Sequence, residues 1–325
     1  MNSRQRFLET MRFGSPDRVP LFNEGIRSDV LAAWQAQGFP KGKSLAELFP
    51  YDHREELAID FVTGLNLARL KPSAEGLKDL QSKLESKSVH RMPFGWPEQL
   101  ESWQNRQHCL MLQVHDGLFL SLGVGEWRSF ADAIYFLTDH PGFVRDALVL
   151  IGEFAAILID ELLEALEVDA ILFSEPIGGP HGPLISPRMY GEIVLPGYAP
   201  IVNIVRKHGI DLIIWRTYAN TELLLPPVVD AGINGLWAVE RGPEAMNYSA
   251  IRSTYDTELG LIGGIDLDVL VAGKRAIEHE LSTKLPALLA SGGFIPLADG
   301  RVRGDISLEA YTHYRQLLAA LTSGG

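Results

Sequence analysis

The sequence predicts an α/β fold, a (β/α)8 TIM barrel that forms a single domain over residues 1–325 with N-terminal elaborations. Short apolar runs alternate with longer amphipathic stretches along most of the chain, and this alternation is typical of parallel βα units rather than of a β-sandwich. About eight such units in a chain of this length suit a barrel. A doubly wound open sheet is the competing architecture, but no G-x-G-x-x-G motif follows the first predicted strand and no G-x-x-x-x-G-K-S/T phosphate loop is present.

The N-terminal third is the least regular part of the pattern. Helices are predicted at 2–13 and 29–37, each closed by a glycine, and strands at 18–22 and 65–70. The polar region 39–107 carries only the second of these strands, and we expect much of it to form a cap or an edge over the site.

From Cys109 onward the alternation becomes regular, because each apolar run is followed by a stretch with helical spacing. The predicted strands are 109–114, 170–173, 211–215, 235–239, 259–262 and 294–297. The predicted helices are 129–137, 141–166, 187–208, 221–231, 248–255, 266–291 and 307–321.

The composition excludes several classes of partner. Hydrophobic residues make up 46% of the chain and mean hydropathy is +0.04, as in a globular protein with a large core. The formal net charge of −12 argues against nucleic acid and against an anionic membrane surface. No apolar run is long enough to span a bilayer, and the N-terminus lacks the apolar core of a signal peptide. We therefore expect a cytoplasmic protein with a small-molecule substrate.

The single cysteine, Cys109, excludes an intrachain disulfide framework and any multi-cysteine metal site. It lies in an apolar run, which favours a buried structural thiol. Neither H-E-x-x-H nor H-x-C occurs, so we expect no metal and no cofactor. The alternative is an oxygen-rich site for a magnesium-like ion, with Glu175, Glu240, Asp266 and Asp299 as its ligands.

Polar residues collect where the predicted strands end, which is where the loops of a barrel build its site. In chain order they are Asn23, Glu24, Arg27, His115, Asp116, Ser174, Glu175, His181, Arg216, Tyr218, Asn220, Glu240, Arg241, Asp266, Asp299 and Arg301. We expect catalytic roles for Glu175, Arg216, Asp299 and His181. We expect substrate contacts from Glu24, Arg27, Tyr218, Asn220, Glu240, Asp266 and Arg301. The competing interpretation is that many of these residues are helix caps and surface ion pairs.

The residue types suggest acid–base chemistry on an anionic substrate. Carboxylates that face one pocket repel each other, which raises at least one pKa into the range of a general acid. Arg27, Arg216 and Arg301 could pair with these carboxylates or hold a substrate carboxylate bidentately. His181 lies between Pro180 and Gly182 in a loop, where it could shuttle protons or bond a backbone carbonyl.

Five segments together resemble the uroporphyrinogen decarboxylase superfamily, which includes cobalamin-linked methyltransferases that act on methylated corrinoid proteins. The segments are RQRFLETMRFGSPDRVPL near the start, 169–198, GINGLWAVE, LIGGIDL and GGFIPLADGRVRGDISLEAY. The resemblance covers nearly the whole chain and implies a (β/α)8 barrel with one deep cleft at its C-terminal face. It also implies a homodimer.

The chain departs from the patterns of both branches. The methyltransferases bind zinc through His-x-Cys after the fifth strand and a cysteine after the eighth, where this chain has Arg216-Thr217-Tyr218 and Gly300. The decarboxylases carry an arginine-rich motif after the first strand; here it reads FNEGIR, so that Arg27 matches the second arginine and Glu24 lies near the first. Their L-G-H-G element is Leu297-Ala298-Asp299-Gly300 here, and Asp60 is only a guess for their substrate-orienting aspartate.

Three functions remain open. The first is a cofactor-free lyase, a decarboxylase of a carboxylate-bearing small molecule or tetrapyrrole, in which Arg27, Arg216 or Arg301 holds a carboxylate. In it Glu175, Asp299 or His181 protonates the carbanion. The second is a corrinoid-dependent methyltransferase without the usual zinc site, with a corrinoid protein as its partner. The third is a non-catalytic barrel that binds a ligand.

Overall fold

The computed structural model describes residues 1–60, 65–85, 91–96, 98–239 and 246–323, with the side chain of Trp127 left aside. The strands are β1 (Arg54–Ala58), β2 (Cys109–His115), β3 (Ala170–Glu175), β4 (Gly178–Gly179), β5 (Gly182–Pro183), β6 (Ile213–Tyr218), β7 (Gly235–Val239), β8 (Gly260–Ile265) and β9 (Phe294–Ala298).

Helices follow or precede most of these strands. They are α1 (Ser3–Met11), α2 (Val30–Ala36), α3 (Leu45–Leu48), α4 (Ala74–Glu85), α5 (Leu100–Gln104), α6 (Leu118–Ser121), α7 (Trp127–Asp139), α8 (Pro141–Ala165), α9 (Pro187–Met189), α10 (Leu195–Lys207), α11 (Leu225–Asp230), α12 (Tyr248–Tyr255), α13 (Asp268–Ala272), α14 (Lys274–Ala290) and α15 (Leu308–Thr322). The chain is thus an α/β protein. No helix of the described ranges is both long and apolar enough to cross a membrane.

The chain divides into two compact units. The terminal unit comprises Met1–Glu55, Gln107–Cys109 and Gly235–Gly325, and the central unit comprises Glu56–Arg106 and Leu110–Asn234. The expectation of a single domain over 1–325 stays a prediction.

In the central unit β2, β3 and β6 lie side by side and parallel, with Met111 opposite Ala170 and Ile171 opposite Ile213. All six residues of β3 are buried, as in a strand covered on both faces. The long helix α8 packs against α10. The two helices approach so closely that a Cβ on Gly152 would lie 2.0 Å from the carbonyl oxygen of Gly197.

In the terminal unit β7, β8 and β9 form a second run of parallel strands, with Gly235 opposite Gly260 and Leu261 opposite Phe294. Every residue of these three strands is buried. The Tyr248 hydroxyl accepts a hydrogen bond from the Ala238 N–H at 3.0 Å and donates one to the Ile262 carbonyl at 2.6 Å. It therefore bridges β7 and β8.

A closed (β/α)8 barrel is not present in the described residues. Apart from the two-residue strands β4 and β5, they form seven strands, one fewer than the eight that close a TIM barrel. The strand predicted at 18–22 is absent because its backbone is engaged elsewhere. Pro20 has no N–H to donate, the Leu21 N–H donates to the Asp52 carboxylate at 2.9 Å, and the Val19 N–H donates to the Thr322 carbonyl at 3.4 Å.

Most predicted strands after Cys109 are confirmed, whereas the region 39–107 differs from the prediction. The strand predicted at 65–70 is wrong, because Leu67–Arg69 forms a 3-10 turn. Strand β1 was missed because its sequence, REELA, is mostly polar. The helix predicted at 266–291 is interrupted at Gly273, whose φ of +89° lies in the left-handed region that favours glycine.

Candidate functional site

Four polar side chains of the central unit form one hydrogen-bonded chain, which we call the strand-end network: Glu56, Gln113, Asp116 and Arg216. The Arg216 guanidinium on β6 donates to Glu56 Oε2 at 2.7 Å and to Gln113 Oε1 at 2.5 Å. The Gln113 amide nitrogen in turn donates to Asp116 Oδ1 at 2.6 Å. Arg216, which was predicted to be catalytic, is therefore linked through Gln113 to Asp116, the residue that directly follows β2.

An irregularity in β2 accompanies this arrangement. The pairing of β2 with β3 shifts register between Gln113 and His115, and such a bulge redirects side chains at the end of a strand. Gln113 is half-buried while the β2 residues before it are buried. The end of β2 therefore presents a polar side chain to the end of β6.

Asp116 is a half-buried carboxyl whose pKa lies above its ordinary value. Burial raises the pKa of its carboxyl above the ordinary value, and the charge of Asp60 raises it further, against the opposing effects of His115, the Gln113 hydrogen bond and Arg216. A raised pKa makes a carboxyl a better proton donor, so Asp116 is the candidate general acid or base of this network.

Glu175, a predicted catalytic residue, is fully buried. Its Oε1 accepts a hydrogen bond from the Leu118 N–H at 2.8 Å, and its Oε2 accepts one from the Tyr198 hydroxyl at 2.6 Å. The His115 Nε2 atom lies 3.3 Å from Oε2. The structure thus places Glu175 behind the strand ends, where it contacts protein groups, and its predicted catalytic contact stays a prediction.

Two tyrosines enclose this carboxylate. The Tyr190 hydroxyl donates to the Tyr198 hydroxyl at 3.2 Å. Tyr190 begins a π-helical turn, Tyr190–Val194, that leads into α10, and both tyrosine rings are buried. Burial raises the pKa of each phenol well above its ordinary value, and the charge of Glu175 adds to this effect. Both phenols therefore remain neutral hydrogen-bond donors.

Tyr218 is the last residue of β6 and Asn220 follows it, next to the β4–β5 hairpin that carries His181. His181 is exposed between β4 and β5, which pair antiparallel. The Asn220 N–H donates to the Gly179 carbonyl at 3.4 Å, which attaches this hairpin to the chain after Tyr218. The catalytic role of His181 and the substrate contacts of Tyr218 and Asn220 stay predictions.

Ala219, the residue directly after β6, has a strained backbone conformation. Its φ of +56° lies in the left-handed region, which costs a residue with a side chain about 1–2 kcal/mol. Strain of this kind concentrates at ligand-binding and active sites. It occurs here between two predicted substrate-binding residues, Tyr218 and Asn220.

The terminal unit contains a separate pocket of about 170 Å³. It brings together four predicted site residues, Arg27, Asp266, Asp299 and Arg301, and its other lining residues are Leu267, Asp268, Gly300 and Arg303.

Two of these carboxylates have backbone partners. Asp299 is buried and accepts a hydrogen bond from the Gly264 N–H at 3.2 Å. Asp266 accepts one from the Asp268 N–H at 2.9 Å, and Asp268 pairs with Arg303. Arg27 and Arg301 are exposed, and neither guanidinium has a hydrogen bond or an ion pair within the described ranges. The pocket therefore offers two cationic groups to an anion.

Glu24 was predicted to bind substrate, and the structure buries it inside the terminal unit. Its carboxylate accepts hydrogen bonds from Tyr314 at 2.7 Å and Tyr311 at 2.9 Å, and the Arg315 guanidinium lies 3.6 Å away. This arrangement gives Glu24 a role in packing α15 onto the preceding chain, so its substrate contact stays a prediction. Predicted Glu240, together with Arg241, lies outside the described residues.

Sequence reasoning placed Asp116 at a strand end but did not select it for catalysis, and it missed Gln113 and Glu56. The signal for Asp116 was available, because it follows an apolar strand as directly as Glu175 does. Glu56 gave no such signal, since it lies within the polar strand β1.

The residues present do not fit the zinc site of the methyltransferase branch. Within the part of the chain that the structure describes, no group of three or more His, Cys, Asp or Glu side chains is arranged to hold a metal ion. The sequence resemblance described above places Arg216 at the position of that branch's zinc-binding histidine, and a guanidinium has no lone pair to donate. The described residues also contain no such group for the alternative magnesium site. Glu240, one of the ligands expected for that site, lies outside the described residues.

The fold is shared with a methyltransferase from Methanosarcina mazei, which is 14% identical in sequence. The similarity covers 98% of this chain and 99% of that chain, with a TM-score of 0.58. No family model matches the chain, and no curated protein matches its sequence. At this level of identity the likeness is one of fold, and it extends over nearly the entire length of both chains.

Proposed function

We propose that this chain is an enzyme that transfers a methyl group, as a divergent member of the methyltransferase branch of the uroporphyrinogen decarboxylase superfamily. The observation that carries the proposal is Asp116, a carboxyl with a raised pKa in a hydrogen-bonded chain with Gln113 and Arg216. The fold supports it, since a methyltransferase has the same fold. The lyase expected first from the sequence becomes the second candidate.

The chemistry needs a proton donor next to the group that loses its methyl. A nucleophilic acceptor attacks the methyl carbon of a donor CH₃–X with its electron pair, and the electron pair of the breaking C–X bond stays on the heteroatom X. Asp116, as a carboxylic acid, gives its proton to X, which leaves as H–X. In the reverse direction the Asp116 carboxylate takes the proton from H–X while X attacks the methyl carbon.

Arg216 supplies the positive charge in this scheme. Negative charge develops on X as the C–X bond breaks, and a cation fixed in advance stabilises such charge without reorganising. The two hydrogen bonds to Glu56 and Gln113 fix the guanidinium. Arg216 would thus supply the positive charge that zinc supplies in the methyltransferase branch. The scheme uses no metal ion bound by this chain.

The nucleophilic acceptor in this proposal is a corrinoid bound to a partner protein, which acts as a substrate of the reaction. Methylcobalamin with a compound H–X therefore tests the reverse direction, in which the Asp116 carboxylate takes the proton from H–X. Free methylcobalamin is therefore the probe for a first test. The protein is incubated with methylcobalamin and a panel of thiols, amines and hydroxy compounds. Loss of the methylcobalamin absorbance and the mass of the methylated product are then measured.

Wild-type protein should methylate at least one acceptor faster than the protein-free solution, and Asp116→Asn should lose this rate. Asp160→Asn is the matched control, because Asp160 is an acid of the same unit that pairs with His208 at 2.6 Å outside the strand-end network. Equal rates for wild type and Asp116→Asn would overturn the role of Asp116. No transfer by wild type to any acceptor would count against methyl transfer and favour the second candidate.

The second candidate, a decarboxylase, is supported by Arg27 and Arg301 in the pocket of the terminal unit. Two guanidinium groups without a partner in the described ranges suit a substrate carboxylate. The test measures the anaerobic binding of uroporphyrinogen and coproporphyrinogen, followed by product analysis for lost carboxyl groups. Binding with release of carbon dioxide, abolished in Arg27→Ala and Arg301→Ala, would establish this function in place of methyl transfer.

A further inference from the structure

Asp116 lies on a short connection whose backbone decides where its carboxylate is held. It directly follows the last residue of β2, and a single residue, Gly117, separates it from α6. Its Oδ1 atom accepts a hydrogen bond from the Gln113 amide at 2.6 Å, so this contact depends on the path of the chain from Asp116 to Leu118. The mechanism proposed above needs the contact, because it links Asp116 to Arg216.

Glu175 on β3 holds this connection through a hydrogen bond to its backbone. The Leu118 N–H donates to Glu175 Oε1 at 2.8 Å, and both residues are fully buried. The first N–H groups of a helix have no partner within that helix, and Gly117 has no side chain that could accept one. Glu175, 57 positions further along the chain, therefore satisfies the N–H group that begins α6.

Gly117 brings the backbone of this connection against the end of β3. Its φ of +110° lies in the left-handed region that favours glycine. A Cβ atom at this position would lie 2.6 Å from Pro176 Cδ and 3.1 Å from Glu175 Oε1, whereas two carbon atoms pack at about 3.5–4.0 Å. The connection is therefore packed directly on Glu175 and Pro176, and a side chain at position 117 would push it away from them.

Glu175 is itself fixed through its other oxygen by two tyrosines. Its Oε2 atom accepts a hydrogen bond from the Tyr198 hydroxyl at 2.6 Å, and that hydroxyl accepts one from the Tyr190 hydroxyl at 3.2 Å. The Tyr198 ring stacks on Phe173, with ring centroids 4.3 Å apart. All four side chains are buried, so Glu175 presents a fixed acceptor to the Leu118 N–H.

We propose that Glu175 is a positioning residue for Asp116. By holding the Leu118 N–H, it fixes the chain at Asp116 so that the carboxylate stays within hydrogen-bonding distance of the Gln113 amide. The inference deepens the proposed function and rests on it for the role of Asp116 as the acid or base. Glu175 touches no reacting atom in this account. Its contribution is to accept a hydrogen bond from the backbone, and it transfers no proton.

The test observes Gln113, because its side-chain amide reports whether Asp116 is in place. The exchange of the Gln113 amide protons with water is measured by ¹⁵N NMR in the intact protein, and the resonances are assigned by their loss in Gln113→Leu. Glu175→Leu removes both acceptor oxygens at a similar side-chain size. Glu175→Gln keeps one oxygen for the Leu118 N–H, and its NH₂ group can donate to the Tyr198 hydroxyl oxygen.

We expect the Gln113 amide protons to exchange roughly tenfold faster in Glu175→Leu, because the loss of one hydrogen bond corresponds to about that factor. Glu175→Gln should match wild type, because it retains the acceptor of the Leu118 N–H. Unchanged exchange in a folded Glu175→Leu variant would overturn the inference. Exchange that is as fast in Glu175→Gln as in Glu175→Leu would also overturn it, since the charge rather than the hydrogen bond would then matter.

Gly117→Ala tests the same connection without changing Glu175, and it decides the question if Glu175→Leu does not fold. The added methyl group must push the chain away from Pro176, so the Gln113 amide protons should again exchange faster. Gly209→Ala is the matched control in the same unit. Gly209 also has a positive φ, +77°, but a Cβ atom there meets no described atom within 4 Å. Equal Gln113 exchange in the two alanine variants would overturn the inference.

The methyl-transfer assay separates positioning from stability alone. Glu175→Leu should lower kcat by about 10²-fold with a much smaller change in KM, since a displacement of about 1 Å at a reacting group can cost that factor. Glu175→Gln should restore the rate. The predicted exchange without methyl transfer by wild type would retain the positioning role and reject the proposed function. Methyl transfer that needs Asp116 but proceeds at the wild-type rate in Glu175→Leu would retain the function and reject the positioning role.

Discussion

Arg216 and Asp116 are joined by one side chain, the amide of Gln113, whose oxygen accepts from the Arg216 guanidinium at 2.5 Å and whose nitrogen donates to the Asp116 carboxylate at 2.6 Å. An amide can do both because it carries a donor and an acceptor on one planar group. Arg216 lies 103 positions from Gln113 in the chain, so this side chain links Asp116 to a residue remote in sequence. This relationship leads to the first prediction.

Gln113→Leu keeps the approximate size of the side chain and removes both hydrogen bonds. The pKa of Asp116 should rise further, because the Gln113 hydrogen bond stabilises its carboxylate and lowers that pKa. In a ¹³C NMR titration of protein labelled at the aspartate side-chain carboxyls, with the Asp116 resonance assigned by its loss in Asp116→Asn, the midpoint of Asp116 should move to higher pH. Gln81→Leu is the matched control, because Gln81 is an exposed residue of α4 that donates to Glu85 at 2.9 Å, outside the strand-end network. An unchanged midpoint in Gln113→Leu would show that the amide does not couple the two residues.

Ala219→Gly tests the strain beside Tyr218. Glycine adopts a φ of +56° without the side-chain penalty, which is about 1–2 kcal/mol, while its greater freedom in the unfolded chain costs about 0.4–1 kcal/mol. The free energy of unfolding should therefore stay unchanged or rise slightly. Ala156→Gly in helix α8 should instead lower it by about 0.5–1 kcal/mol. Equal losses for the two variants in urea unfolding would contradict the strained conformation.

The close contact of α8 with α10 makes Gly152→Ala strongly destabilising. The added methyl would lie 2.0 Å from the Gly197 carbonyl oxygen, so the helix backbones must separate, at a cost of about 1–3 kcal/mol. Gly142→Ala, in the same helix, meets nothing within 4 Å and should stabilise by about 0.4–1 kcal/mol. Thermal unfolding of both variants measures the difference. Similar unfolding temperatures would contradict the packing of these two helices.

Asp52 should make the stability of the terminal unit depend on pH. Its side chain is 1% exposed and pairs with Arg6 and Arg18, both at 2.7 Å. Burial raises the pKa of Asp52, but the Leu21 N–H and the two arginines outweigh it, so the pKa lies below its ordinary value of 3.8. A depressed pKa stabilises the folded state above the pKa of the unfolded chain, and this contribution is lost as pH falls through the folded value.

Asp52→Asn should therefore destabilise the protein by about 3 kcal/mol near neutral pH. The difference from wild type in the free energy of unfolding should shrink as pH falls below the ordinary aspartate pKa. Denaturant unfolding at a series of pH values measures this difference. A constant difference across that range would show that Asp52 acts by packing rather than by its charge.

The strands could be predicted where the sequence is apolar throughout, and the errors have definite causes. β3, β7, β8 and β9 are buried on both faces, so each appears as an apolar run. The run at 18–22 is also mostly apolar, but its backbone N–H groups donate to the Asp52 carboxylate and the Thr322 carbonyl instead of to a neighbouring strand. The polar strand β1 could not be recognised from its own residues, because its place depends on contacts distant in sequence.

The candidate site could be predicted less well than the fold. A carboxylate after an apolar strand is visible in the sequence, which led to Glu175 and Asp299 as predicted catalytic residues and left Asp116 among the other strand-end residues. Their environments differ because of residues remote in sequence: Tyr198 and Leu118 donate hydrogen bonds to Glu175, whereas burial and, to a lesser extent, the charge of Asp60 raise the pKa of Asp116. Burial and neighbouring charge, which decide between these acids, are properties of the folded chain.

The most direct test of this account is the rate of methyl transfer from methylcobalamin to the best acceptor of the panel, compared between wild type and Asp116→Asn. General acid–base catalysis contributes roughly 10²–10⁴-fold, so the variant should lose activity by about that factor while its unfolding temperature stays close to that of wild type. A folded Asp116→Asn that transfers the methyl group as fast as wild type would contradict the central claim.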